Sequence, residues 1–286
     1  MILVRQNKKH RKNTKGMYLL RISFIGAGNM AGAIINSIIN SGRAKPKDIT
    51  VFDIDKAKYD HYSSMGVSTA DTKKEVCEAS PFVVLAVKPQ DYESLLIGIK
   101  EECGDISKKV FISIAAAIST DFITKTLSAD CPVIRVMPNT PLLIGCGATA
   151  ISKNQYVDDK EFTKICGVFA ASGVVSVLPE SQMNAIISVN STSPAYIYLL
   201  AKAMIDGAVA QGIDSKVAAE LVFQTIKGSA EMLIKTDLEP SALIKMVASP
   251  KGTTEASLRS FENEGFEQIV QHAMLACTNR AEEIKK

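Results

Sequence analysis

Short β-branched runs alternate with helix-length segments through the first part of the chain, in which apolar and polar positions interleave. That alternation is the pattern of parallel strands joined by crossover helices. It predicts about eight strands, at residues 21–25, 50–54, a weak one near Val67, then 82–87, 110–113, 133–137, 148–152 and 174–178, with a last crossover helix over 161–171. Beyond Pro179 the period changes. Apolar residues recur at three and four, and helices are predicted at 182–211, 216–235, 240–247, 253–264 and 266–284. The chain therefore divides into a flexible extension at 1–16, an α/β domain at 17–179 and a helical domain at 180–286.

Residues 22–32 are the centre of the first domain, because an apolar run passes there directly into a glycine-rich turn and a helical pattern. The turn has the form of a phosphate cradle. Gly26 allows the tight bend, Gly28 lets backbone approach a pyrophosphate, and Ala31 is small enough for helix to pack on strand. Ala27, Asn29 and Met30 complete the turn, and the helix N-terminus offers free N–H groups and a positive dipole end. The next strand ends in Asp53, 25 residues after Gly28. A carboxylate there accepts hydrogen bonds from the ribose of NADH and repels the 2′-phosphate of NADPH, which favours NADH. NADPH stays open, since Lys56 and Lys58 lie close enough to offset the repulsion and Asp53 also reads as an outward turn residue. The fold class is α/β: a Rossmann-type, doubly wound, mostly parallel sheet followed by an all-helical dimerisation domain.

Three further stretches stop where a strand stops, the edge at which such sheets hold ligands. In Ala86-Val87-Lys88-Pro89, the lysine is either a phosphate contact or a solvated side chain. Small residues including Ala115 and Ala116 would let a flat ring approach the backbone, or are ordinary core alanines. Met137-Pro138-Asn139 leads into a loop that two prolines restrict, a functional turn beside the nicotinamide or a rigid connection. Arg135 is a surface residue or an ion-pair partner. In the helical domain, residues 248–254 open a helix: Ser249 or Thr253 can cap it, and its N–H groups would suit a small carboxylate.

Composition narrows the partners. With 286 residues and 47% apolar content, the chain can bury a large core. Arg5, Lys8, Lys9, Arg11, Lys12 and Lys15 account for more than the whole formal charge of +3, so the body is slightly acidic and nucleic acid is not an expected partner. No apolar run suits a membrane span and no secretory signal is present, so a cytoplasmic protein with a possible second start at Met17 is expected. The six cysteines lack zinc or redox spacing, and the three histidines form no constellation, so no metal is expected. The apolar run 195–201 favours a homodimer.

Five motifs in order resemble the pyrroline-5-carboxylate reductase family: Gly-Ala-Gly-Asn-Met at 26–30, Ala-Val-Lys-Pro-Gln at 86–90, Met-Pro-Asn-Thr-Pro at 137–141, Ser-Pro-Ala-Tyr at 193–196 and Ser-Pro-Lys-Gly-Thr-Thr at 249–254. The resemblance runs from about Arg21 to the C-terminus. It implies reduction of L-1-pyrroline-5-carboxylate to L-proline with NAD(P)H, the last step of proline biosynthesis, and a homodimer through the helical domain, often built into rings. It also implies that Thr254 assists protonation of the imine nitrogen while Ser249, Gly252 and Thr253 line the carboxylate pocket. The chain departs from the family pattern where Ser191, Ser193, Ala117 and Lys251 stand in place of glycines and Met246 in place of a polar residue. Two other readings remain: another imine or hydroxyacid oxidoreductase on this scaffold, or a non-catalytic nucleotide-binding paralogue. Hydroxyacid relatives carry a lysine and, four residues on, an asparagine; here Lys202 is followed by Asp206, which argues against them.

Overall fold

The computed structural model describes residues 20–286 and the backbone of Ile2–Val4. In chain order the elements of the sheet region are β1 (Ile2–Val4), β2 (Ile22–Ile25), α1 (Asn29–Asn40), β3 (Ile49–Phe52), α2 (Tyr59–Ser64), β4 (Ser68–Thr69), α3 (Lys73–Ala79), β5 (Phe82–Leu85), α4 (Tyr92–Glu102), β6 (Val110–Ser113), α5 (Thr120–Leu127), β7 (Val133–Met137), β8 (Gly147–Lys153), α6 (Asp159–Ala170) and β9 (Gly173–Val177). The helical region holds α7 (Ser193–Ala210), α8 (Ser215–Lys235), α9 (Pro240–Val247), α10 (Thr253–Asn263) and α11 (Phe266–Glu283).

The strands form one sheet in the order β1-β9-β8-β7-β6-β5-β2-β3-β4, parallel except where β1 meets β9 and β7 meets β8. Central strands β2, β5, β6 and β7 are buried at every position, as a sheet covered on both faces requires. Apolar residues of α1 and α6 join the core on one face, and those of α3, α4 and α5 join the core on the other. From β2 the chain winds outward to β3 and β4, then returns to β5 and winds the opposite way. The switch point falls between β2 and β5, the place in such sheets where ligands bind beyond the strand ends.

Eight of the nine strands lie within two residues of their expected positions. The ninth, Ile2–Val4, pairs antiparallel with β9, so this part of the expected flexible extension is an edge strand. The rest of 1–16, and Met17, lie outside the described residues. The helix expected over 182–211 is interrupted: a 3₁₀ turn at Glu180–Gln182 and a π-helical turn at Ile187–Ser191 precede α7. Pro194 is the cause legible in the sequence, since proline has no N–H to continue a preceding helix and is tolerated only in a first turn. The crossover helix α6 starts two residues earlier than expected because the Asp158 carboxylate caps it, accepting from the N–H groups of Lys160 and Glu161.

Two compact units result, Met1–Thr192 with Cys277–Lys286, and Ser193–Ala276. The helical domain expected from residue 180 thus shares its first thirteen and last ten residues with the sheet unit. Within the second unit α7 packs along α8, and Ala201, Ala218 and Val222 are buried. Among the described residues no helix is long and apolar enough to cross a membrane.

Candidate functional site

At the β2–α1 turn the backbone of Gly26 lies at φ +103°, and a Cβ there would come within 2.5 Å of the Ala86 carbonyl oxygen. Only glycine fits. Gly28 is different: its φ of −79° is ordinary, and a Cβ would meet nothing within 4 Å. The protein itself therefore leaves space in front of Gly28, the kind of space a phosphate needs for backbone approach. Gly28 is also the N-cap of α1, with no side-chain cap and no acidic residue in the first turn. The N–H groups at that helix start are open to an anion. The turn thus fits the pyrophosphate of a dinucleotide.

Neighbouring strand ends are knit to this turn. The Gly26 N–H donates to the Phe52 carbonyl and the Ala86 N–H to the Ile25 carbonyl, each at 2.8 Å. The Ala27 N–H donates to Asp53 Oδ2 at 2.7 Å, and that carboxylate also accepts from the Asp55 N–H at 2.8 Å and from Lys58 Nζ at 3.0 Å. Asp53 is buried, not an outward turn residue. Burial pushes its carboxyl upward, but the N–H groups of Asp55 and Ala27 and the Lys58 ammonium outweigh burial and hold it below the ordinary carboxylate range. Lys56 pairs with Asp71 instead. Behind the turn, the Tyr62 hydroxyl donates to the Ala27 carbonyl at 3.2 Å. Burial, and then the Asp53 charge, raise that phenol above its usual range.

The remaining expected cofactor residues gather at the same sheet edge. Ala86, Val87, Lys88 and Pro89 follow β5, whose last carbonyl, Leu85, accepts from the buried Tyr92 hydroxyl at 2.7 Å. Lys88 is exposed. Ala115 and Ala116 follow β6, and the next residue, Ala117, is buried at φ 62°. Met137 ends β7, Pro138 and Asn139 follow it, and all three are buried. The Asn139 amide joins the Ala148 N–H at 2.9 Å to the Asn190 carbonyl at 3.1 Å. Asn190 in turn donates through Nδ2 to the carbonyls of Met137 at 2.7 Å and Ala148 at 2.9 Å. Ser191, one of the departures from the family glycines, donates to the Pro138 carbonyl at 2.9 Å. This π-helical turn is therefore bound to the β7 strand end.

Arg135 proves to be an ion-pair partner: its guanidinium is 2% exposed and donates to Glu180 Oε1 at 3.0 Å and Asn184 Oδ1 at 2.6 Å. The sequence reading passed over Glu180, Asn184 and Asn190. It also passed over Ile54, which is 93% exposed directly after Asp53. An isoleucine beside a polar strand end is the signal that could have found it.

Ser249, Gly252, Thr253 and Thr254 lie in the other compact unit, around the start of α10. The Gly252 N–H donates to the Ser249 carbonyl at 3.0 Å, and Lys251 between them takes φ 60°. Contrary to expectation, neither Ser249 nor Thr253 caps the helix; Gly252 is the N-cap and no side chain accepts there. The Glu255 carboxylate takes the Lys251 N–H instead. No side chain caps the first-turn N–H groups, two threonine hydroxyls lie beside them, and the Glu255 carboxylate is in the same turn. Lys202 forms an ion pair with Asp206 at 2.6 Å.

Known proteins show the same two modules. The family model for the pyrroline-5-carboxylate reductase dimerisation domain matches residues 180–284, and that for coenzyme F420-dependent NADP oxidoreductases matches residues 21–117. The pyrroline-5-carboxylate reductase of Mycobacterium leprae is 34% identical, over 93% of this chain and 97% of that protein. A pyrroline-5-carboxylate reductase structure from Coxiella burnetii matches with a TM-score of 0.85 at 32% identity, over 93% of this chain and 99% of that one. The Plasmodium falciparum pyrroline carboxylate reductase, solved with NADP bound, matches with a TM-score of 0.86 at 27% identity, over 95% and 100%. With that identity over nearly the full length of both chains, and both modules in the same order, the chain belongs to the pyrroline-5-carboxylate reductase family.

Proposed function

We propose that the chain reduces L-1-pyrroline-5-carboxylate to L-proline with NAD(P)H, the closing step of proline biosynthesis. The observation that carries this reading is the full-length family match, with both modules present. When bound, the dinucleotide would supply a hydride for the imine carbon. The chain's residues bind and orient: the Gly26–Gly28 turn holds the pyrophosphate, with Ala27, Asn29 and Met30 around it. Asp53 takes the adenosine ribose hydroxyls and Ile54 offers the adenine an apolar face. Ala86 to Pro89, Ala115, Ala116 and Met137 to Asn139 line the route to the nicotinamide.

On the substrate side, the open start of α10 holds the carboxylate through Ser249, Gly252 and Thr253. Thr254 hydrogen-bonds the imine nitrogen and relays a proton to it as the carbon gains its hydride. Each turnover would add one hydride and one proton to the imine, with the oxidised nucleotide as the other product. The Asp53 carboxylate favours NADH over NADPH. A second copy of the chain covers the apolar surface of the helical unit, where Tyr198, Leu199, Leu221 and Phe223 are exposed. Rings of dimers are the larger assembly this family membership suggests, and light-scattering mass decides between the two.

The test is nucleotide oxidation with pyrroline-5-carboxylate, followed for wild type and Thr254→Val. Turnover by wild type and a loss of about 10²-fold in kcat for the variant are expected. Nucleotide binding without turnover by wild type overturns the reading, and unchanged turnover removes Thr254 from its role.

A further inference from the structure

The last residues of the chain and the loop after β6 are joined twice. The first joint is backbone: the Lys286 N–H donates to the Ala117 carbonyl at 3.0 Å, and the Lys286 carbonyl accepts from the Ser119 N–H at 3.0 Å and the Ser119 hydroxyl at 2.8 Å. The second runs through side chains. Glu282 Oε1 accepts from Asn184 at 2.8 Å, Asn184 from Arg135 at 2.6 Å, and Arg135 donates to Glu180 Oε1 at 3.0 Å, the oxygen that also takes the Thr120 N–H at 3.2 Å. The circuit starts at the loop and returns to it. All of its members belong to the sheet unit.

The loop needs such support. Ala117 is in the left-handed region at φ 62°, a conformation that costs a residue with a Cβ and persists where its surroundings fix it. Asn184 and Arg135 are nearly fully buried, so the bond between them is not exchanged for water, while Glu282 closes the circuit from the surface.

We propose that Glu282 and the Lys286 backbone are positioning groups for the nicotinamide half of the cofactor site, holding the backbone of 115–117 in place. This rests on the reading of Ala115 and Ala116 as the surface the nicotinamide ring meets. The adenosine half, at Asp53 and the glycine turn, has no part in the circuit. Loosening the clasp therefore moves one half of the site and spares the other, and a shift of about 1 Å near a reacting ring is enough for a large loss of rate.

The test compares wild type with a chain lacking residues 285–286, with Glu282→Ala, and with Glu282→Gln, which keeps an oxygen for Asn184. Affinities for NADH and for ADP-ribose, which has no nicotinamide, are measured by calorimetry, with turnover alongside. The deletion and Glu282→Ala are expected to weaken NADH about fivefold or more and to lower kcat about tenfold, while ADP-ribose stays within twofold of wild type and Glu282→Gln behaves as wild type. Equal losses for both ligands, or no loss for NADH, overturn the proposal. If wild type fails to turn over pyrroline-5-carboxylate while the NADH-selective loss persists, the substrate reading falls and the positioning role stands.

Discussion

The Asp53 carboxylate is bolted to the glycine turn by the Ala27 N–H at 2.7 Å, so the group proposed to meet the ribose and the turn proposed to meet the phosphates move as one. In the proposed site its charge would oppose a 2′-phosphate, and Lys58 is already engaged with it. Replacing Asp53 by Ser is expected to shift the NADH to NADPH ratio of kcat/KM about tenfold or more toward NADPH, equivalent to about 1.4 kcal/mol. Steady-state kinetics with both nucleotides read the shift. An unchanged ratio takes Asp53 out of cofactor selection.

The same contacts have a pH consequence. Asp53 titrates below its unfolded value, so it contributes stability that is present above the ordinary carboxylate range and is lost as pH falls through the folded value. Asp53→Asn is expected to be less stable than wild type near neutral pH and to lose less of its remaining stability below about pH 4. Urea unfolding at pH 7 and at pH 3 gives the two differences, and equal differences at both contradict the assignment.

The Asn139 and Asn190 amides share a different task. Between them they satisfy the Ala148 N–H and the carbonyls of Met137, Ala148 and Asn190, all close to the buried β7 strand end. Removing either side chain leaves buried backbone groups without partners, at a cost of about 1–3 kcal/mol for each orphaned group. Asn190→Ala is expected to lower Tm by several degrees and to raise the NADH KM, because the 137–139 loop loses its brace. Unaltered thermal unfolding would show that water replaces the amide.

The inner sheet was legible because its strands are apolar runs with their own punctuation: Asp53 after β3, Pro89 after β5, Pro138 after β7. The glycine turn was legible for the same local reason. What escaped was non-local. Nothing near Asn190 announces that its amide crosses 53 residues to the Met137 carbonyl, and Glu282 meets Asn184 across 98. Arg135 looked ambiguous because one charged residue in a strand says nothing of whether a carboxylate waits beneath it. The long helix over 182–211 was overcalled from apolar period alone, with Pro194 given too little weight.

The helical unit leaves many apolar side chains exposed. Leu221 is 61% exposed and Tyr198 62%, on the helices α8 and α7 that pack together. Charged substitution of a residue covered by a second copy leaves an unpaired charge in a desolvated surface, which costs several kcal/mol. Leu221→Arg is expected to halve the mass measured by light scattering at micromolar concentration. A wild-type chain that is already monomeric there, or a variant that keeps its mass, contradicts the dimer.

Two residues stand in left-handed backbone where the family pattern has glycine, and magnitudes separate them. Lys251 takes φ 60° and Ala117 φ 62°. Relief of the Cβ clash is worth about 1 kcal/mol at either site, less the greater freedom glycine has when unfolded. Lys251 is exposed, so its side chain is removed with little loss of burial. Ala117 is 1% exposed, and deleting its methyl forfeits about 0.8 kcal/mol. Lys251→Gly is therefore expected to raise Tm by about 1–3 °C, whereas Ala117→Gly leaves it nearly unchanged. Differential scanning calorimetry distinguishes the two. A fall in Tm for Lys251→Gly would mean that the lysine side chain stabilises the start of α10 by more than its backbone strain costs.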